Sequence, residues 1–122
     1  MTERPEPLRA ALAQINPTVG DITGNARLIA ERMAQARDLG ASLVVFPELS
    51  LTGYPPEDLL LKTHFLDAAA AALAELAAAT RGIVALVGFP ERADDVYNSA
   101  AVLAGGEAVS YTHLTLPTTP YV

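Results

Sequence analysis

The chain has 122 residues, with eight basic and fourteen acidic side chains for a formal net charge of −6, and no cysteine. A chain of this length has room for one small domain; its basic residues are scattered singly, which disfavours nucleic-acid binding, and the lack of cysteine excludes disulfides and thiolate metal sites. Apolar residues make up 51% but aromatics only 6%, so alanine supplies much of the hydrophobic count and the core is smaller than the positive mean hydropathy suggests.

Residues 1–7 carry two prolines and two glutamates without periodicity and read as a disordered leader. They show no basic segment followed by an apolar one. No later run reaches the roughly 18 apolar residues of a membrane span, so neither export nor insertion is indicated and a cytoplasmic location is expected. Leu8 to Ile15 is short and mostly apolar, and Asn16-Pro17 breaks it because the residue before proline is pushed out of the helical region; a mostly buried strand is expected. From Thr23 to Leu39, Leu28, Ile29, Met33, Ala36 and Leu39 fall near one helical face, with Asp21 or Thr23 as the cap and Gly40 as a left-handed C′ residue. Ser42 to Phe46 is a continuous β-branched and aromatic run closed by Pro47, the pattern of a strand covered on both faces.

Pro55-Pro56-Glu57-Asp58 suits the start of a short helix from Glu57 to about Leu61, with proline at a first helical position and acids at the positive helix end. Leu66 to Thr80 holds nine alanines with Leu66, Leu73 and Leu76 among them, and Gly82 follows as a stop; this segment reads as a helix. Ile83 to Gly88 reads as a buried strand. Tyr97 to Leu103 reads as another, turned back by Gly105-Gly106 into Glu107-Ala108-Val109. After Val109 the composition changes: Ser110 to Val122 has four threonines, two prolines and no formal charge apart from a possible His113, and it reads as a non-native tail. Alternation of strands and helices makes the fold class α/β.

Glu48 is the leading candidate for chemistry. It directly follows a buried strand, and in α/β sheets ligands and catalytic groups gather beyond the carboxyl ends of strands. A carboxylate desolvated in such a crevice can serve as a general base; a solvated strand-end acid is the plainer reading of the pattern alone. Gly53-Tyr54-Pro55-Pro56 is a turn in which Gly53 calls for a positive φ, and Tyr54 either lines a pocket or packs on the scaffold. Glu57 and Asp58 are read as favouring a helix N-terminus. His64 lacks a second ligand at metal spacing, so no metal site is expected. Asn98, at the start of an apolar strand, reads as a buried amide that ties down a neighbouring loop. No GxGxxG or GxxxxGK[ST] loop and no GxSxG elbow occurs, so neither a phosphate cradle nor a serine nucleophile is supported.

Leu43 to Glu48, preceded by a helix ending in Gly40-Ala41, resembles the first catalytic segment of the nitrilase superfamily of carbon-nitrogen hydrolases. The continuation Leu49 to Leu60 is similar to the form found in the glutaminase domain of glutamine-dependent NAD synthetases. Ala13 to Asp21, Val87 to Pro90 and Tyr97 to Val102 support the resemblance, which covers residues 8–109. It implies the N-terminal part of an αββα sandwich, with further strands and covering helices elsewhere and hence uncovered strand edges here.

It also implies a Glu, Lys, Cys triad whose glutamate matches Glu48. In that chemistry a cysteine thiolate attacks the glutamine carboxamide, the glutamate accepts the thiol proton, and the lysine stabilises the oxyanion. The ammonia goes to a synthetase domain that uses ATP and Mg2+ to amidate deamido-NAD to NAD. Glutamine, deamido-NAD and ATP are thus the implied partners of a homo-oligomeric parent, and no cofactor is expected in these residues. Lys62 is the only lysine and belongs to a different segment, and cysteine is absent, so this chain alone is expected to be inactive. Two rivals stay open: another nitrilase-superfamily amidase, and a non-catalytic α/β binding domain.

Overall fold

The computed structural model describes residues 7–115, residues 110–115 by their backbone alone. The leader expectation, apart from Pro7, and the tail expectation beyond Thr115 lie outside these residues. Five strands form one sheet in the order of the chain: β1 (Ala10–Leu12), β2 (Leu43–Val45), β3 (Val84–Arg92), β4 (Val96–Ala104) and β5 (Glu107–Thr115). The first three run parallel and the last three antiparallel. Parallel neighbours need long crossovers, and helix α1 (Ile22–Asp38) and helix α2 (Thr63–Ala79) supply them. The antiparallel pairs need only short turns, and Gly105-Gly106 makes the tighter of the two, with φ of 59° and 88°, as the sequence leads one to expect.

The two crossover helices pack on each other and on the same side of the sheet. Asp21 caps α1 by accepting a hydrogen bond from the Gly24 amide (3.0 Å). At the other end Gly40, at φ 86°, donates to Arg37 O (2.9 Å) and Ala41 donates to Ala36 O (3.0 Å), the paired bonds of a Schellman stop. Ile22, Ile29, Met33 and Ala36 face the core from α1, and Phe65, Leu66, Ala69, Leu73, Leu76 and Ala77 from α2. Helix α2 starts at Thr63, three residues ahead of the expected Leu66. Phe65 already belongs to its apolar stripe, and the amides of Phe65 and Leu66 both find Lys62 O.

Against these helices the sheet sets Val44, Ala85, Val87, Phe89, Ala101 and Leu103, all buried. Alternation sends the intervening residues to the opposite face, where the register aligns Leu12, Val45, Leu86 and Val102 in one row across four strands. No described element covers that row. Leu12 is 82% exposed and Val45, Leu86 and Val102 are half-buried.

This one-sided cover corrects several expectations. Residues 8–15 form only a three-residue strand with exposed positions, not a mostly buried one, because helices shield a single face of the sheet edge. β2 buries Val44 and leaves Leu43 and Val45 half-buried. The segment Glu57–Leu61 is helical as expected but of 3-10 type, with Pro56 at the cap and not inside, and none of its residues is buried. β3 runs past Gly88 to Arg92 because β4 offers it a partner along the whole length. β5 continues beyond Val109 to Thr115, six residues into the segment set apart on composition; backbone pairing accepts such threonine-rich sequence readily.

Candidate active site

Phe46 extends the β2 ladder through its amide, which donates to Leu86 O (3.0 Å). Pro47 then ends it, and Glu48 opens a tight loop. Leu49 takes a left-handed backbone, φ 48°, a conformation costing a non-glycine residue roughly 1–2 kcal/mol. Its carbonyl accepts from the amides of Thr52 (3.2 Å) and Gly53 (2.9 Å), while Ser50 N donates to Pro47 O (3.2 Å) and Leu51 N to Gly88 O (3.2 Å). Leu49, Ser50, Leu51 and Thr52 are all essentially inaccessible. A loop made this rigidly presents its first residue at a defined place.

Two close approaches explain how the loop fits. At Gly88 on β3 a Cβ would lie 2.5 Å from Leu49 N and 2.8 Å from Pro47 O, so only glycine lets the loop rest on the sheet. At Gly53, φ 82°, a Cβ would come 2.6 Å from Val19 Cα, which joins the expected positive φ to a backbone contact.

A buried amide completes the frame. Asn25, 2% exposed on α1, accepts from Thr18 N (2.8 Å) and donates to Thr18 O (2.8 Å) and Leu51 O (3.1 Å). Gly20 N adds a bond to Thr52 O (2.9 Å). The Glu48 loop, the segment before α1 and α1 itself are thereby tied together.

Glu48 is exposed, so the described residues do not themselves remove it from water. Its carboxylate meets Asn98, whose Nδ2 donates to Glu48 Oε1. Asn98 lies on β4 opposite Pro90 and on the same face as Ala100 and Val102 by alternation. Asn98 is half-buried, not the buried amide expected, and the tie it makes is to the side chain of the candidate base at the head of the loop. Tyr54 follows Gly53 at the end of the same loop and is 52% exposed. His64 is exposed near the start of α2, and Glu57 and Asp58 are exposed in the 3-10 segment. A groove of about 500 Å³ between α2 and strands β3 and β5 is lined by neither Glu48 nor Asn98.

Sequence reasoning did not single out Asn25 or Gly88. An asparagine in the first turn of an amphipathic helix, on its apolar side, was the available sign of a buried amide. Gly88 is followed by Phe89-Pro90 inside a strand, and a glycine there signals a close backbone approach.

Comparison with known proteins places this geometry among relatives. The carbon-nitrogen hydrolase family profile matches residues 9–121. A glutamine-dependent NAD(+) synthetase of Thermotoga maritima is 46% identical over 113 residues, covering 90% of this chain and 20% of its own. A crystal structure of a glutamine-dependent NAD(+) synthetase from Cytophaga hutchinsonii superposes with a TM-score of 0.84 at 26% identity, over 89% of this chain and 19% of that one. An amidase from Nesterenkonia sp. superposes with a TM-score of 0.76 at 27% identity, over 93% and 44%. The chain spans about a fifth of the length of the curated relatives it matches.

Proposed function

The chain belongs to the carbon-nitrogen hydrolase family, and on that premise we propose that it is the glutamate-bearing first part of the glutaminase domain of a glutamine-dependent NAD synthetase. The observation that carries the reading is the 46% identity with a synthetase of that name across 90% of the chain, joined by 54% with one from Xanthomonas campestris across 81%. The likeness to the Nesterenkonia amidase keeps a second reading in view, an amidase domain acting on another amide.

In the proposed reaction Glu48 takes the proton from a cysteine thiol and later activates the water that frees glutamate. The thiol nucleophile and the oxyanion-stabilising lysine come from sequence outside this chain, which has no cysteine and a single lysine at Lys62; alone, the chain hydrolyses nothing. Tyr54, on the same loop, contributes to the glutamine pocket. Ammonia then passes to an ATP- and Mg2+-using domain that amidates deamido-NAD, in a cytoplasmic, homo-oligomeric parent. Residues 8–109 form the hydrolase segment, and 110–122 are read as non-native on composition.

A graft tests the reading. Residues 8–109 replace the matching segment of the Thermotoga synthetase, and glutamine-dependent and ammonia-dependent NAD formation are compared. Glu48→Gln in the graft is expected to lower the glutamine-dependent rate by about 10²-fold or more, the scale of a lost general base, and to leave the ammonia-dependent rate within about twofold. Equal loss of both rates would remove Glu48 from the amide chemistry.

A further inference from the structure

Asparagine is depleted from strands because its amide competes with the ladder, yet Asn98 stands within β4, paired with Pro90. Its side chain is half-buried and its Nδ2 spends a donor on one oxygen of Glu48. The other oxygen of that carboxylate has no hydrogen-bond partner among the described residues. Glu48 carries three side-chain torsions, and without a fixed partner an exposed carboxylate of this length samples many rotamers.

The strands either side of the contact are themselves fixed. Gly88 allows the Pro47–Leu49 backbone to lie against β3, and β3 is paired with β4 from Ala85 to Arg92. The origin of the Glu48 side chain and the origin of the Asn98 amide therefore belong to one rigid frame, and the hydrogen bond joins them across fifty residues of sequence.

We propose that Asn98 is a positioning residue for Glu48: its amide holds one carboxylate oxygen so that the other faces the reacting proton in a single orientation. The role rests on the proposed general-base function of Glu48 and deepens it by assigning unequal parts to its two oxygens. A held oxygen and an open one form a proton acceptor of defined direction, which is what a near-attack arrangement demands. Asn98 itself touches no reacting atom.

The test uses the isotopically labelled chain in solution and two variants. In the unsubstituted chain the Glu48 side-chain couplings are expected to report one rotamer, and one Asn98 amide proton to resonate downfield of the usual side-chain range. Asn98→Asp keeps the shape but removes the donor; Glu48 should then average over rotamers while the backbone signals of β3 and β4 persist. Glu48→Ala reads the same contact from the other side and should return the Asn98 amide proton to the usual range. Averaged Glu48 couplings in the unsubstituted chain, an unmoved Glu48 rotamer in Asn98→Asp, or an unmoved Asn98 proton in Glu48→Ala would each overturn the positioning role. These spectra are independent of catalysis. A single Glu48 rotamer beside an inactive graft would discard the proposed function and keep the contact, whereas an active graft with a freely averaging Glu48 would discard the positioning role alone.

Discussion

Asn25→Ala removes three hydrogen bonds in one substitution and is expected to destabilise the chain by about 2–4 kcal/mol. The figure follows from where each partner is left. Leu51 lies fully inside, and its carbonyl receives Asn25 Nδ2 at 3.1 Å; deprived of it, a buried acceptor costs about 1–3 kcal/mol. Thr18 N and O, nearer the surface, bond Asn25 at 2.8 Å each. Water can replace part of these, and Thr18 O keeps a second donor in Asp21 N at 3.1 Å, so together they add about 1 kcal/mol. Urea unfolding followed by circular dichroism measures the sum: at a slope of about 1 kcal/mol/M the midpoint falls by about 2–4 M or the variant begins unfolded, with the slope unchanged where a transition is visible. Asn25→Asp keeps one acceptor but turns a carboxylate toward two carbonyl oxygens, and should cost at least as much. A loss below about 0.5 kcal/mol in Asn25→Ala would refute the claim that this amide clamps the Glu48 loop.

Gly53→Ala should destabilise by about 2 kcal/mol or more, since the new Cβ meets Val19 backbone at 2.6 Å. Gly105→Ala, at φ 59° with nothing within 4 Å, should cost only about 1 kcal/mol, the strain of the left-handed backbone alone; thermal melts of the two variants compare them directly. Tyr97 donates from its phenol to Asp94 Oδ1 (2.6 Å). That hydrogen bond, then desolvation and the nearby charges of Asp94, Asp95 and Glu91, raise the Tyr97 pKa above its ordinary 10.0. The folded state thus favours the neutral phenol, so this contribution is complete below the ordinary tyrosine value and fades as pH climbs through the raised one. Ultraviolet titration of phenolate formation should find Tyr97 ionising at lower pH in Asp94→Asn, and an unchanged curve would dismiss the contact.

Most of the scaffold was legible in the sequence because local signals agreed with it. The spacing of Leu28, Ile29, Met33, Ala36 and Leu39 marked α1, although Leu39 stands exposed at its C-cap; Asp21 or Thr23 and Gly40 marked its ends, Asp21 being the cap, and Gly105-Gly106 marked the hairpin. What escaped depends on contacts between distant segments. The length of β3 beyond Gly88 is set by β4, and the exposure of Leu12 by which side the helices choose. Glu48 could be named from its place after a strand, and Asn98 as an amide that ties a loop, but their meeting required the β3–β4 register. Asn25 joins Thr18, seven residues away, to Leu51, 26 residues away, and Gly88 acts through a loop roughly 40 residues away, a reach that no periodicity records.

The row of Leu12, Val45, Leu86 and Val102 has an electrostatic consequence for the carboxylate beside it. Glu48 and Asn98 stand at the same face of the sheet as that row, so whatever apolar layer settles on the row also displaces water from around them. An interaction between a charge and its neighbours grows severalfold as the effective dielectric falls from that of water to that of a protein interior. The loop fixes where the carboxylate is, and a layer over the sheet would strengthen its contact with Asn98. A carboxylate that is hydrated while the row is bare would meet its Asn98 partner in a drier setting once the row is covered.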